Sequence, residues 1–316
     1  MTRCLFQGLV LLCGLALGIV RPALAQSVAL VPNGSENILD LFEPGAPWQH
    51  AAAHVQAFGL SVRYLASQPD RDVQVILNGL RRLHIDASLD MLPLSGEFAD
   101  SRQLCGFHVE GYSAPGEMQR EALWFKAHNG EPQSYGMDEP LLYGHYYTGP
   151  NACRSPIPVI ARDVANKIRQ VRAIFPGVKV GDTEPIMALP EATWQADLEQ
   201  WLDDFQADTG TPMAFFSVEL DWRAPWHQRM QQLKALLARR HVPLGVVYNA
   251  TGDPPDAEWV AQTAAHYREL ETSVGVPDGV AFQSWVHHPA RLLPETDPTT
   301  FTGMVITYVA WRATQR

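Results

Sequence analysis

Acidic residues in this chain fall where short runs of strand-forming residues end. Residues 133–147, QSYGMDEPLLYGHYY, show it most fully. Strand-like residues run into Asp138 and Glu139, and Pro140 then removes the next ladder donor. Acids or amides follow other such runs: Asp40 and Glu43, Asp90, Glu110, Asp182 and Glu184, Glu219 and Asp221, Asn249, and Gln283 with Trp285. Aromatic and imidazole side chains are interleaved with them at Trp48, Tyr112, Tyr143, His145, Tyr146, Trp222 and Tyr248. Crowded carboxyl groups push one another's pKa values apart, so that one stays protonated while another ionises. Flat rings beside carboxylates suit a neutral, hydroxyl-rich ligand, because C–H faces stack on rings and hydroxyls donate to carboxylates. The candidate catalytic residues are Glu139 and Glu219, followed by Asp221 and Glu184. The candidate ligand-contacting residues are Asp138, Asp182, Glu110, Tyr112, His145, Trp222, Tyr248, Asn249, Gln283 and Trp285.

Other chemistries find no support in the residue spacing. There is no GxSxG, no HExxH and no Cys/His metal spacing. His287 and His288 are adjacent, and neighbouring strand residues point to opposite faces. No metal and no cofactor are expected.

Eight strand-like runs alternate with helical ones, at about 30 residues per unit. The strands are read at 38–42, 60–65, 85–92, the run ending at Asp138, 178–183, 213–221, 244–249 and 280–286. Helices are read at 47–58, with Gly59 as its stop, then at 69–83, 116–128, 159–175, 191–207, 227–240 and 256–271. Residues 301–311 fit either a strand or a helix. In the sixth strand Ala214, Phe216, Val218 and Leu220 form an apolar face, which puts Phe215, Ser217, Glu219 and Asp221 on the inward one. Acids on an inward face are costly unless paired or used. The pattern predicts one (β/α)8 TIM-type barrel over 26–316, with a hairpin-like excursion around 93–113 that contains an extended piece at 107–112. No glycine-rich phosphate turn follows the first strand, as an open dinucleotide-binding sheet would need.

Residues 1–25 read as a cleaved leader, with Arg3, an apolar run at 9–20 and Ala23-Leu24-Ala25 before the mature start near Gln26. The run is short for a membrane span, so the product is expected to be secreted or periplasmic, with no stable membrane insertion. Cleavage removes Arg3 and Arg21 and no acid, taking the net charge from −10 to −12. Such a field repels phosphate backbones and excludes nucleic acid as a partner. Cys105 and Cys153 remain, and in an oxidising compartment they read as one disulfide, the alternative being two separate buried thiols.

The sequence MDEPL resembles the strand-four acid motif of (β/α)8 glycoside hydrolases, in which an Asn-Glu or Asp-Glu pair before proline carries the general acid. The resemblance implies that Glu139 is the proton donor and that the partner is a carbohydrate. It departs from the large retaining clan at strand seven, where that clan places its nucleophilic glutamate and this chain has Tyr248-Asn249. The second carboxylate is then expected from strand five or six, with Glu219 first. Two functions follow: an exported hydrolase of a poly- or oligosaccharide, or a non-catalytic carbohydrate-binding barrel that serves exopolysaccharide handling.

Overall fold

The computed structural model describes residues 26–33, 38–96, 98–99, 102–103 and 105–315. The leader read at 1–25 lies outside the described residues. Eight strands, β1 (Ser27–Val31), β2 (Ala57–Leu60), β3 (Asp86–Met91), β4 (Pro132–Asp138), β5 (Lys179–Glu184), β6 (Phe216–Val218), β7 (Leu244–Tyr248) and β8 (Gly279–Gln283), are all parallel. They close into a barrel in sequence order, with Ser27 beside Gly279 at the seam between β1 and β8. The fold is the expected (β/α)8 barrel.

Alternation along the strands decides what faces where. Val28, Leu30, Phe58, Leu60, Leu89, Phe216, Val218, Val280 and Phe282 are buried against the helices. Their alternates, among them Ala29, Ala57, Ser88, Gly136, Ser217 and Ala281, face the barrel axis and stay partly accessible.

The first two strands lie elsewhere than the sequence reading placed them. Residues 38–42, read as a strand, form helix α1 (Ile38–Phe42) with Ile38, Leu41 and Phe42 buried, an i, i+3, i+4 spacing that belongs to a helix. The true first strand is the SVALV run, Ser27–Val31. In the second unit, helix α2 spans only Gln49–Ala52, and β2 occupies the segment read as the end of a helix. Ser61 then accepts from Tyr64 N and caps α3 (Val62–Ala66), where a strand was expected. Asp40 and Glu43 are therefore exposed residues in and just after α1, away from any strand exit, and Trp48 is buried in the core.

Elsewhere the pattern and the structure coincide more closely, except that β6 spans only Phe216–Val218 of the run read at 213–221. Helix α4 (Asp70–Leu83) buries Val73, Ile76, Leu77 and Leu80 on one face, each worth about 1.5–3 kcal/mol. Its first turn carries Asp70 and Asp72 and its last turn Arg81 and Arg82, in line with the helix dipole. Helices α5 (Glu117–Ala127), α6 (Ile157–Arg172), α7 (Trp194–Thr209), α8 (His227–Arg240) and α9 (Asp256–Ser273) complete the outer ring. Residues 301–311 resolve as part of a helix, α10 (Phe301–Ala313), whose N-cap Thr300 accepts from Gly303 N.

The excursion after β3 holds two small pairs of two-residue strands, Leu94–Ser95 with Tyr112–Ser113 (parallel) and Phe98–Ala99 with Arg102–Gln103 (antiparallel). The extended piece expected at 107–112 is mostly turn, with His108 at φ 56° and Gly111 at φ 76°.

Candidate active site

Two glutamates stand on either side of the exit of β5. Glu139 N donates to Thr183 O at 3.1 Å, and Glu219 N donates to Glu184 O at 3.1 Å. Their backbones are thus two interstrand spacings apart, about 10 Å. Curvature of the barrel turns both side chains toward the axis, and Glu219 is the strongest charged neighbour of Glu139. Glu139 takes a left-handed backbone, φ 48°, at the end of a strand whose inward row is Ser134, Gly136 and Asp138. That conformation costs of order 1–3 kcal/mol in a non-glycine residue and marks a constrained position.

The strain is held by Glu184. Its carboxylate accepts from Leu141 N at 2.6 Å and Leu142 N at 3.1 Å, the first amides after Pro140. Those residues lead into a single π-helical turn, Leu142–Tyr146, and Tyr143 N donates back to Glu139 O at 2.9 Å. Glu184 is fully buried, so the catalytic role considered for it gives way to anchoring the segment that carries Glu139. The same correction applies to Asp182, expected to contact ligand. It is fully buried and accepts from Trp201 Nε1 of α7 at 2.7 Å. Val180, Asp182 and Glu184 share the face that packs on the helices, and Lys179, Gly181 and Thr183 take the other.

Proton affinities in the mouth are raised, and mutual repulsion adds to burial. Burial, then Glu219, Asp138 and Glu110, push Glu139 up to about 9. Burial, then Asp138 and Glu110, push Glu219 up to about 7. Asp138 is likewise pushed to about 7 by burial, then by Glu110 and Asp90, with Arg63 opposing. Arg63, from α3, pairs with Glu117 at 2.7 Å and Glu121 at 3.5 Å, and its charge also bears on Asp90 and Asp138. The sequence reading missed Arg63 because α3 was taken for a strand. At neutral pH the array therefore holds a protonated Glu139 opposite a half-ionised Glu219, which is the division that general acid–base work requires.

Glu110 reaches the mouth from the excursion and hydrogen-bonds Tyr143. Gly111 lies so close to β4 that a Cβ there would sit 2.7 Å from the Asp138 carbonyl oxygen. Cys105 and Cys153 form a disulfide with Cα atoms 5.0 Å apart, tying the excursion to the loop after β4. Gly106 N donates to Asn151 O at 2.7 Å and Asn151 Nδ2 to Phe107 O at 2.8 Å beside it. The Tyr112 ring packs over Gly106.

On the far side of the mouth, Trp222 Nε1 donates to Asn249 Oδ1 at 2.7 Å, and the indole stacks on His266 at 4.3 Å. Gln283 faces the axis at the end of β8, and Trp285 beyond it is 52% exposed.

Two further expectations are corrected, for Asp221 and Tyr248. Asp221 lies beyond the short β6, where the chain turns; it is exposed and paired with Arg223 at 2.9 Å, not on an inward face. Tyr248 is fully buried and donates to Glu271 of α9 at 3.2 Å, outside the barrel wall, so it contacts no ligand in the mouth. His145 Nδ1 bonds Ser155 O at 2.8 Å and orders the loop after β4. Among the described residues no group of three or more His, Cys, Asp or Glu side chains is arranged to hold a metal ion.

No protein-family model matches this chain, and no curated protein matches it in sequence. Solved structures do resemble it. A GH10 structure from Paenibacillus barcinonensis superposes with a TM-score of 0.50 at 11% identity, covering 84% of this chain and 86% of that one. An intracellular xylanase from Thermoanaerobacterium saccharolyticum, solved with xylotriose, gives 0.50 at 11% identity over 85% and 89%. A truncated 3-deoxy-D-arabino-heptulosonate 7-phosphate synthase from Thermotoga maritima gives 0.50 at 9% over 92% and 88%. Barrels of different chemistry thus match equally well, and what these likenesses establish is the (β/α)8 fold.

Proposed function

We propose that this protein is a glycoside hydrolase acting on a poly- or oligosaccharide, with Glu139 as the general acid and Glu219 as the opposing carboxylate. The observation that carries this reading is the pair itself: two glutamates flanking one strand exit, one held protonated to about pH 9 and the other ionising near pH 7. Glu139 donates its proton to the glycosidic oxygen as the C–O bond breaks. Glu219 stabilises the developing positive charge at the anomeric carbon and completes the reaction with water. Asp138, Asp90 and Glu110 accept hydrogen bonds from sugar hydroxyls, while Trp222 and Trp285 offer stacking faces. The leader-like residues 1–25 and the Cys105–Cys153 disulfide support action outside the cytoplasm.

Glu139→Gln and Glu219→Gln test the assignment. Each is expected to lower glycan turnover by about 100-fold or more with folding intact; wild-type rates in both variants refute it. The absence of an acid at Tyr248-Asn249 favours a second reading, a carbohydrate-binding barrel without turnover. Calorimetric binding of a glycan that yields no new reducing ends would select that second reading.

A further inference from the structure

On the side of β1 to β4 the barrel interior below the acids departs from the usual packed core of this fold, in which layers of Val, Ile and Leu fill the axis. Several inward positions here are small, Ala29, Ala57, Ser88, Ser134 and Gly136 among them, and each of these stays partly accessible, whereas Val31, Phe215 and Val247 fill other parts of the axis. A Cβ built on Gly136 meets no atom within 4 Å. One built on Gly181, its register partner on β5, meets the Phe215 ring at 2.3 Å. Phe215 thus walls the space on the β5 side, while the space over Gly136 is open. Gly136 lies two residues below Asp138 on the same inward row, about 6.6 Å down the strand. Ser134 Oγ donates to Ser88 Oγ at 2.9 Å one step lower, so hydroxyls line that depth.

A second observation points to an occupant. Glu139 is only 8% exposed, and among the described residues no hydrogen bond to its carboxyl is found. A buried carboxyl in that state is completed by a ligand or by water.

Building on the carbohydrate reading of this site, we propose that the ligand enters end-on, with one terminal sugar unit descending into the barrel axis between Asp138 and Gly136. Residue 136 then sets which chain ends fit. A depth of two strand residues takes one ring and not a run of them, so internal stretches of a polymer stay outside. The Ser88–Ser134 pair meets the hydroxyls of the inserted unit.

The test is calorimetric titration of wild type, Gly136→Ala and Gly136→Leu with xylotriose, cellotriose and chitotriose, and with the same sugars blocked at one or both termini. Whichever trisaccharide binds should lose about 10- to 100-fold in affinity with Gly136→Leu. Gly136→Ala should lose less, and blocking the inserted terminus should abolish binding, with melting temperatures retained. Gly136→Ala places one methyl group in open space and keeps the test valid if the leucine variant does not fold. Unchanged affinity in both variants overturns the end-on mode, as does tight binding of a doubly blocked sugar. Cleavage by wild type with undiminished binding by Gly136→Leu removes end-on entry and leaves hydrolysis standing. Weakened binding by Gly136→Leu with no cleavage by wild type supports the pocket and removes hydrolysis. If none of the trisaccharides binds wild type, the carbohydrate reading and end-on entry both fall.

Discussion

Glu139 combines a left-handed backbone, near-complete burial and a proton held to about pH 9. Its chemistry and its effect on stability are linked. In the proposed hydrolysis turnover needs Glu219 ionised and Glu139 protonated, so the rate should rise with pH through about 7 and fall through about 9. Glu110→Gln removes a negative neighbour of both groups, and both limbs of the profile should move to lower pH. Limbs that stay in place would separate Glu110 from the pair. The same carboxyl destabilises the fold. Its folded value lies above its ordinary 4.5, so the penalty is absent below about pH 4.5 and grows as pH rises toward 9. At pH 7 the proton taken up on folding costs about 3 kcal/mol. Glu139→Gln removes that cost, and the inactive variant should be more stable than wild type by about that amount in urea at pH 7. The gain should shrink as pH falls toward 5. A variant less stable than wild type at pH 7 would mean that the carboxyl has a partner in the folded state.

At the scale of elements, the excursion after β3 acts as a stapled arm that lays Glu110 and Gly111 on the exit of β4. The disulfide closes a loop of 48 residues in sequence, for which chain entropy gives a ceiling of about 4 kcal/mol. Replacing both Cys105 and Cys153 by serine should lower unfolding free energy by up to that amount. It should also move the alkaline limb of the rate profile below 9, because a loosened arm withdraws the Glu110 charge from Glu139. Loss of stability with an unmoved limb would confine the staple to a structural role. Much of this arrangement was legible in the sequence, and the exceptions have physical causes. Helix α8 was read with its observed bounds, and α4 to within a residue, because their apolar stripes recur at three and four. The first two strands differ from the sequence reading because Ile38, Leu41 and Phe42 have helical spacing, while SVALV just after the leader-like segment is not among the runs read as strands. Asp182 and Glu184 were counted as mouth acids because both end a strand. Their parity with Val180, which packs against the helices, was the available signal that they point outward. The left-handed turn at Glu139 has no sequence signature, since it is imposed by the Glu184 carboxylate gripping Leu141 and Leu142 from another strand.

At the scale of the whole molecule, the carbohydrate reading gives charge the part of selecting among ligands that the mouth would otherwise admit alike. The segment from Gln26 onward carries a net charge of −12, and several carboxyl groups crowd the barrel mouth. Polyuronates and sulfated glycans meet repulsion on approach, whereas neutral glycans do not and amino sugars are attracted. Part of the mouth is protonated near neutral pH, so the discrimination should strengthen as pH rises through about 7 and Asp138 and Glu219 ionise. Salt distinguishes this field effect from direct contact, because the screening length falls from about 30 Å at 0.01 M to about 3 Å at 1 M. Binding of a neutral oligosaccharide should therefore be nearly independent of salt. Binding of a deacetylated, cationic one should weaken steeply over that range, and an anionic one should gain. Equal salt dependence for all three classes would show that the acids act only at contact distance and that the overall charge has no part in choosing the substrate.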